Sequence, residues 1–129
     1  MARGPPPWGC SMPVERLSQR AMEVLVKNKI KKRAKCIIKV YTNHCKYCHE
    51  LHDTYEEVVQ LYPDIHFFAF NIEDDPGLEK RLRFDGVPTI LFVKTGPKGQ
   101  VKIMPEPKTP HDKMWYHVGD IKKFIEENK

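Results

Sequence analysis

The sequence predicts an α/β fold, a central mixed four-stranded β-sheet flanked by helices and led by an N-terminal helix. Three observations predict it. Hydrophobic spacing switches along the chain between helical and strand periods in the order α-β-α-β-α-β-β-α. The strand-helix-strand portion calls for a parallel pair and the closing strand-turn-strand for an antiparallel hairpin, so the sheet is mixed and carries helices on both faces. At 129 residues the chain has room for one core.

Residues 1–10, with Pro5, Pro6 and Pro7, read as a flexible Pro/Gly-rich arm, leaving 11–129 as a single domain. Ser11 is an expected N-cap with Pro13 and Glu15 in the first turn. Val14, Leu17, Ala21, Val24 and Leu25 then recur at helical spacing to about Lys32. Cys36 to Thr42 is short, β-branched and mostly apolar, as a buried central strand should be. A helix follows from about Cys45, with Leu51, Tyr55, Val58 and Tyr62 on one face, and Pro63 closes it.

Ile65 to Ile72 reads as a second buried strand. Asp74, Asp75 and Pro76 have the cap and first-turn chemistry of a short helix carrying Leu78 and Leu82. Thr89 to Lys94 is strand-like, Thr95 to Gly99 a turn, and Val101 to Met104 its returning hairpin partner. Pro105, Pro107 and Pro110 mark a surface loop, and Asp120 to Asn128 a last helix with Ile121, Phe124 and Ile125 inward.

With 40% hydrophobic and 30% charged residues the chain is neither disordered nor collagenous, and no apolar run reaches the length of a membrane span, roughly 18 residues. The net charge of +5 is concentrated at the front, where residues 1–35 hold nine Lys/Arg against two acids. Lys27, Lys29, Lys31, Lys32, Arg33 and Lys35 read as a solvated helix end, and without interleaved aromatics no nucleic-acid partner is expected. Four cysteines could form disulfides in a secreted protein, but Met1 to Pro13 lacks the apolar stretch of a secretory signal. A reducing, cytoplasmic setting is therefore expected, where a close cysteine pair reads as redox or metal chemistry. Cys36 fits a buried core thiol, and Cys10 a free thiol on the arm.

The pair is Cys45-Lys46-Tyr47-Cys48, at the junction of the central strand and its helix. A thiolate at a helix N-terminus faces unpaired N–H groups and the positive end of the dipole, so Cys45 is the expected nucleophile. Two intervening residues put Cys48 about one turn further in, within reach to resolve a mixed disulfide.

Three segments in order make the chain resemble the thioredoxin superfamily over about residues 34–129: Val40 to Cys48 (VYTNHCKYC), Phe70 to Pro76 (FNIEDDP) and Gly86 to Thr89 (GVPT). The resemblance implies a thioredoxin-like fold and a thiol-disulfide oxidoreductase acting through a reversible Cys45–Cys48 pair. It implies a cis peptide bond at Pro88 against the cysteines, with the Val87 backbone presenting a strand edge to substrate. His44, Lys46, Tyr47, Val87, Pro88 and Thr89 become the substrate-binding candidates. Implied partners are disulfide-containing proteins and, as electron donor, a thioredoxin reductase or glutathione; a monomer with no cofactor and no metal is expected.

Two departures matter. Tyr47 resembles glutaredoxin rather than thioredoxin, which keeps glutathione-linked activity open. Lys39 stands six residues before Cys45, where thioredoxins place a buried acid, so it either runs to solvent or sits beside Cys48 as a pKa modulator. Other readings use the same residues. Cys45 to His49 matches the CxxCH of haem attachment, with Met104 or Met114 as axial ligand. Cys45, Cys48, His49 and His52, with His44 nearby, could hold zinc, though adjacent helical turns are cramped for a tetrahedron. A non-catalytic thioredoxin-fold binding module is the remaining alternative.

Overall fold

The computed structural model describes residues 14–84, 86–105 and 116–129. In chain order its elements are β1 (Glu15–Arg16), α1 (Gln19–Val26), β2 (Lys35–Tyr41), α2 (Lys46–Leu61), β3 (His66–Asn71), a 3₁₀ turn (Ile72–Asp74), α3 (Leu78–Leu82), β4 (Thr89–Lys94), β5 (Gln100–Ile103) and α4 (Val118–Asn128). The strands form one mixed sheet in the order β1-β3-β2-β4-β5. β1, β3 and β2 run parallel, while β4 is antiparallel to β2 and β5 to β4. The register sets Ile38 opposite both Phe68 and Leu91, and Lys39 opposite Ala69 and Ile90.

Alternation along the strands divides the apolar side chains between two layers. Ile37, Phe67, Ile90 and Phe92 pack with Leu51, Tyr55 and Val58 of α2 and with Ile121, Phe124 and Ile125 of α4. On the other face Ile38, Val40, Phe70, Leu91 and Val93 meet Met22 and Leu25 of α1 and Leu78 of α3. Each large side chain so enclosed contributes about 1.5–3 kcal/mol. Cys36 belongs to this second layer and is buried, as its setting in the sequence suggested.

The N-terminal end corrects the sequence expectation. Glu15 and Arg16 form a fifth strand beside Phe68 and Ala69, and the Leu17 amide donates to the Ala69 carbonyl at 2.8 Å. The edge of β3 offers backbone groups that a strand can pair, and this non-local pairing outweighs the helical spacing of Val14 and Leu17. The helix therefore starts at Gln19, with the Ser18 hydroxyl accepting from the Ala21 amide at 3.1 Å. It stops at Val26 rather than Lys32, because Asn28 takes a left-handed conformation with φ 54°. The arm at 1–10, Ser11 and Pro13 lie outside the described residues, as do 106–115 with Met114.

Smaller shifts have local causes. Asn71, not an aspartate, caps the 3₁₀ turn by accepting from the Glu73 amide at 2.9 Å, and α3 begins only at Leu78. α4 begins at Val118 because Asp120 sits inside its first turn, where its carboxylate accepts from the His117 amide at 2.9 Å. β4 matches its expected span residue for residue.

Two buried polar side chains of the α2-facing layer have measurable consequences. The Tyr55 hydroxyl lies 2.7 Å from the Phe68 carbonyl and 3.1 Å from the Ile37 carbonyl, sharing its one proton between β3 and β2. Tyr55→Phe should lower stability by about 1–2 kcal/mol, read as a lower urea midpoint with unchanged slope. Lys39 is only 7% exposed, and burial pushes its pKa below the ordinary lysine value, with the Glu56 charge opposing that shift. Between the folded-state pKa and the unfolded one the unfolded chain holds more protons, so the buried cation destabilises most at low pH and the penalty is relieved as pH rises. Lys39→Met should accordingly raise the unfolding free energy at pH 7 by roughly 1 kcal/mol, read as a higher urea midpoint, with the advantage shrinking as the pH approaches the lysine value.

Candidate active site

β2 runs out at Tyr41, and the chain turns through Thr42, Asn43 and His44, with the Cys45 amide donating to the Thr42 carbonyl at 3.4 Å. Cys45 is the N-cap of α2, extended at φ −88° and ψ 114°, and its Sγ accepts from the Cys48 amide at 3.0 Å. The sulfurs of Cys45 and Cys48 are joined as a disulfide, with the Cα atoms 5.1 Å apart. Cys45 is half-buried, whereas Cys48 is 5% exposed. Position at the helix start thus turns the first sulfur toward the surface and the second inward.

A loop forty residues on meets this pair. Gly86, at φ 81°, turns the chain into Val87, and the Val87–Pro88 peptide bond is cis. The Val87 carbonyl lies 3.7 Å from Cys45 Sγ. Pro88 is buried, and the Thr89 hydroxyl donates to the Gly86 carbonyl at 2.8 Å, closing the turn behind it. Cys45, Cys48 and Val87 are thereby brought together, while His44 is exposed next to them and the backbone of Lys46 and Tyr47 forms the first turn of α2.

On the inner side of the disulfide lies a cleft of about 420 Å³ lined by Val14, Arg16, Lys39, Tyr41, Thr42, Asn43, Cys48, His52, Glu56 and Ala69. Lys39 therefore does not run to open solvent; it shares this cleft with Cys48. Its ammonium sits 5.0 Å from the centre of the Tyr55 ring and 5.9 Å from that of Tyr41, where the ring faces favour a cation. Arg16 reaches Asp74 at 2.9 Å. Sequence reasoning singled out Lys39 and Cys48 but missed Arg16 and Glu56. The spacing of Glu56, eight residues after Cys48, puts it on the same helical face but does not by itself reveal the cleft.

Cys36 lies on the opposite face of the sheet from Lys39, and burial pushes its thiol up to about 11. Among the described residues no group of three or more His, Cys, Asp or Glu is placed to hold a metal ion, and no helix is long and apolar enough to cross a membrane. At the other end of β2, Arg33, Lys35, Lys94 and Lys98 line a second cleft of about 490 Å³ together with Asp64.

Comparison with known proteins agrees with this geometry. The chain is 27% identical over 70 residues to mitochondrial thioredoxin-3 of Saccharomyces cerevisiae, an alignment covering 54% of this chain and 55% of that protein. It thus spans about half the length of the curated relative it matches. The oxidised crystal structure of that yeast thioredoxin superposes with a TM-score of 0.64 at 21% identity, over 88% of this chain and 94% of the other. Trichomonas vaginalis thioredoxin gives 0.63 at 16% identity, over 90% and 97%. These structural likenesses establish the fold. The thioredoxin family profile itself matches residues 15–114, from β1 to beyond β5, and the chain belongs to the thioredoxin family.

Proposed function

We propose that the protein is a thiol-disulfide oxidoreductase that reduces or exchanges protein disulfides through the reversible Cys45–Cys48 couple. The observation that carries this reading is the disulfide at the start of α2, with its outer sulfur beside the Val87 carbonyl and its inner sulfur buried. In the reduced protein the N-terminal N–H groups and dipole of α2 favour the Cys45 thiolate. That thiolate attacks one sulfur of a substrate disulfide and forms a Cys45–substrate bond while the other substrate sulfur leaves with the electron pair. Cys48, as thiolate, then attacks Cys45 Sγ, closes the intramolecular disulfide and releases the second substrate sulfur. Two electrons pass to the substrate, and a thioredoxin reductase or glutathione restores the dithiol.

An extended substrate segment pairs with the backbone at Val87, ahead of Pro88 and Thr89, and His44, Lys46 and Tyr47 flank it from the helix side. The reading requires a reducing compartment. The cytoplasm meets that requirement, and so does the mitochondrion for which the yeast relative is named. The protein acts as a monomer.

In the Cys48→Ser variant a mixed disulfide should accumulate on Cys45, detectable by mass spectrometry; trapping through Cys48 in Cys45→Ser would reverse the assignment. With dithiothreitol as donor the protein should accelerate insulin reduction, followed by turbidity, and Cys45→Ser should abolish the acceleration. No acceleration by correctly folded protein would leave the non-catalytic binding module as the better reading. Lys39 in the cleft with Cys48 sets the poise, because its charge favours thiolate and so the reduced state. The potential should be less negative than the ~−270 mV of thioredoxin, and Lys39→Asp should move it downward on equilibration with glutathione.

A further inference from the structure

α2 presents one stripe to the inner cleft: among its described side chains Cys48, His52 and Glu56 line it. They stand four residues apart, so each is the neighbour of the next, one turn along the same helical face, with Cβ atoms about 5–6 Å apart. The stripe runs from the buried sulfur to the exposed imidazole and on to the half-buried carboxylate of Glu56. Facing it across the cleft are Arg16 from β1 and Lys39 and Tyr41 from β2, above the methyl group of Ala69 in β3. Arg16 is engaged with Asp74 at 2.9 Å, and the charge of Glu56 acts on Lys39.

The chemistry of the couple sets a task for this cleft. Cys48 must shed its proton before it can resolve the mixed disulfide, and a sulfur 5% exposed has little contact with bulk water. A protonated lysine cannot accept that proton, and the position that holds an acid in thioredoxins is Lys39 here. The His52 imidazole, one turn away and lining the same cleft, is a base placed to accept it. At about 420 Å³ the cleft has room for a bridging water, since a water occupies about 30 Å³ of liquid.

We propose that His52 is the proton acceptor for Cys48 in the resolving step, with Glu56 supporting the imidazolium that forms. The proposal rests on the oxidoreductase reading and assigns a proton path within it. In the mixed disulfide, His52 takes the Cys48 proton, directly or through one water. The Cys48 thiolate attacks Cys45 Sγ, and the Cys45–Cys48 bond forms as the bond from Cys45 to the substrate sulfur breaks. The substrate sulfur leaves with the electron pair and takes a proton from solvent, and His52 returns its own proton to water at the open side of the cleft. Lys39 stabilises the transient thiolate but does not receive its proton.

The test separates the two thiol steps. Reduced protein carrying Cys10→Ser, so that the arm thiol is silent, is mixed in stopped flow with excess 5,5′-dithiobis(2-nitrobenzoic acid). Attack by Cys45 releases one coloured thiolate, and resolution by Cys48 releases a second. His52→Gln should leave the first phase unchanged, slow the second about tenfold or more near pH 7.5, and alter the pH profile of the second phase alone. Glu56→Gln should slow the second phase by a smaller factor than His52→Gln and leave the first unchanged. His52 is exposed, so its replacement leaves the core intact. An unchanged second phase in His52→Gln, or equal slowing of both phases, overturns the proposal while the oxidoreductase reading stands. Absence of the first phase in the protein with all its site residues intact would instead overturn the oxidoreductase reading.

Discussion

The architecture hangs on one strand. β2 is buried from Cys36 to Val40 and paired along both edges, parallel to β3 and antiparallel to β4. A strand enclosed in this way has every backbone group committed and both rows of side chains in contact, so its register fixes the height of everything beside it. Its last residue determines where α2 starts, and therefore where the two sulfurs sit. The loop before β4 arrives at Cys45 because β4 is locked to β2 from Val40–Thr89 down to Lys35–Lys94. A slip by one residue would carry Thr89 and Val87 away from the disulfide and turn Lys39 into the opposite layer.

That register also explains how a cation comes to lie in the interior. Position 39 points toward α2 by strand alternation, and its parallel neighbour Ala69 is too small to fill the space above it. The gap becomes the cleft, with the lysine stem packed inside and the ammonium held over two tyrosine rings. The same displacement that makes the site costly to fold leaves a charged, solvent-reachable chamber behind the inner sulfur. Strain between packing and chemistry of this kind is a recurring mark of functional sites.

Much of this was legible in the sequence, and what was not has a physical reason. β4 was readable to the residue because Pro88 and the Thr95-Gly96 turn bracket a β-branched run. The start of α2 was equally plain, since an apolar strand ending before CxxC leaves little choice. The N-terminus was not, because Ser11, Pro13 and Glu15 carry the local signature of a helix start, whereas Glu15 and Arg16 answer to the distant edge of β3. Glu56 escaped for a similar reason: its importance depends on a cleft walled by β1, β2 and α2 together, and no local pattern reports that juxtaposition. Lys39 was flagged by its position, but only its enclosure chose between solvent and the cysteines.

The N-cap of α2 has a further implication. Its acceptor is a sulfur, receiving the Cys48 amide at 3.0 Å, and in the proposed cycle that sulfur alternates between two characters. Within the disulfide it is a weak acceptor; as a thiolate it carries a full charge and holds the same N–H as a charge-assisted bond. The first turn of the helix is thus fastened by an atom whose strength as a cap depends on whether the cysteine pair is oxidised or reduced. The Cys48 amide proton becomes a built-in spectroscopic reporter of oxidation state, its resonance and exchange rate recording whether the sulfur that caps the helix is in a disulfide or reduced.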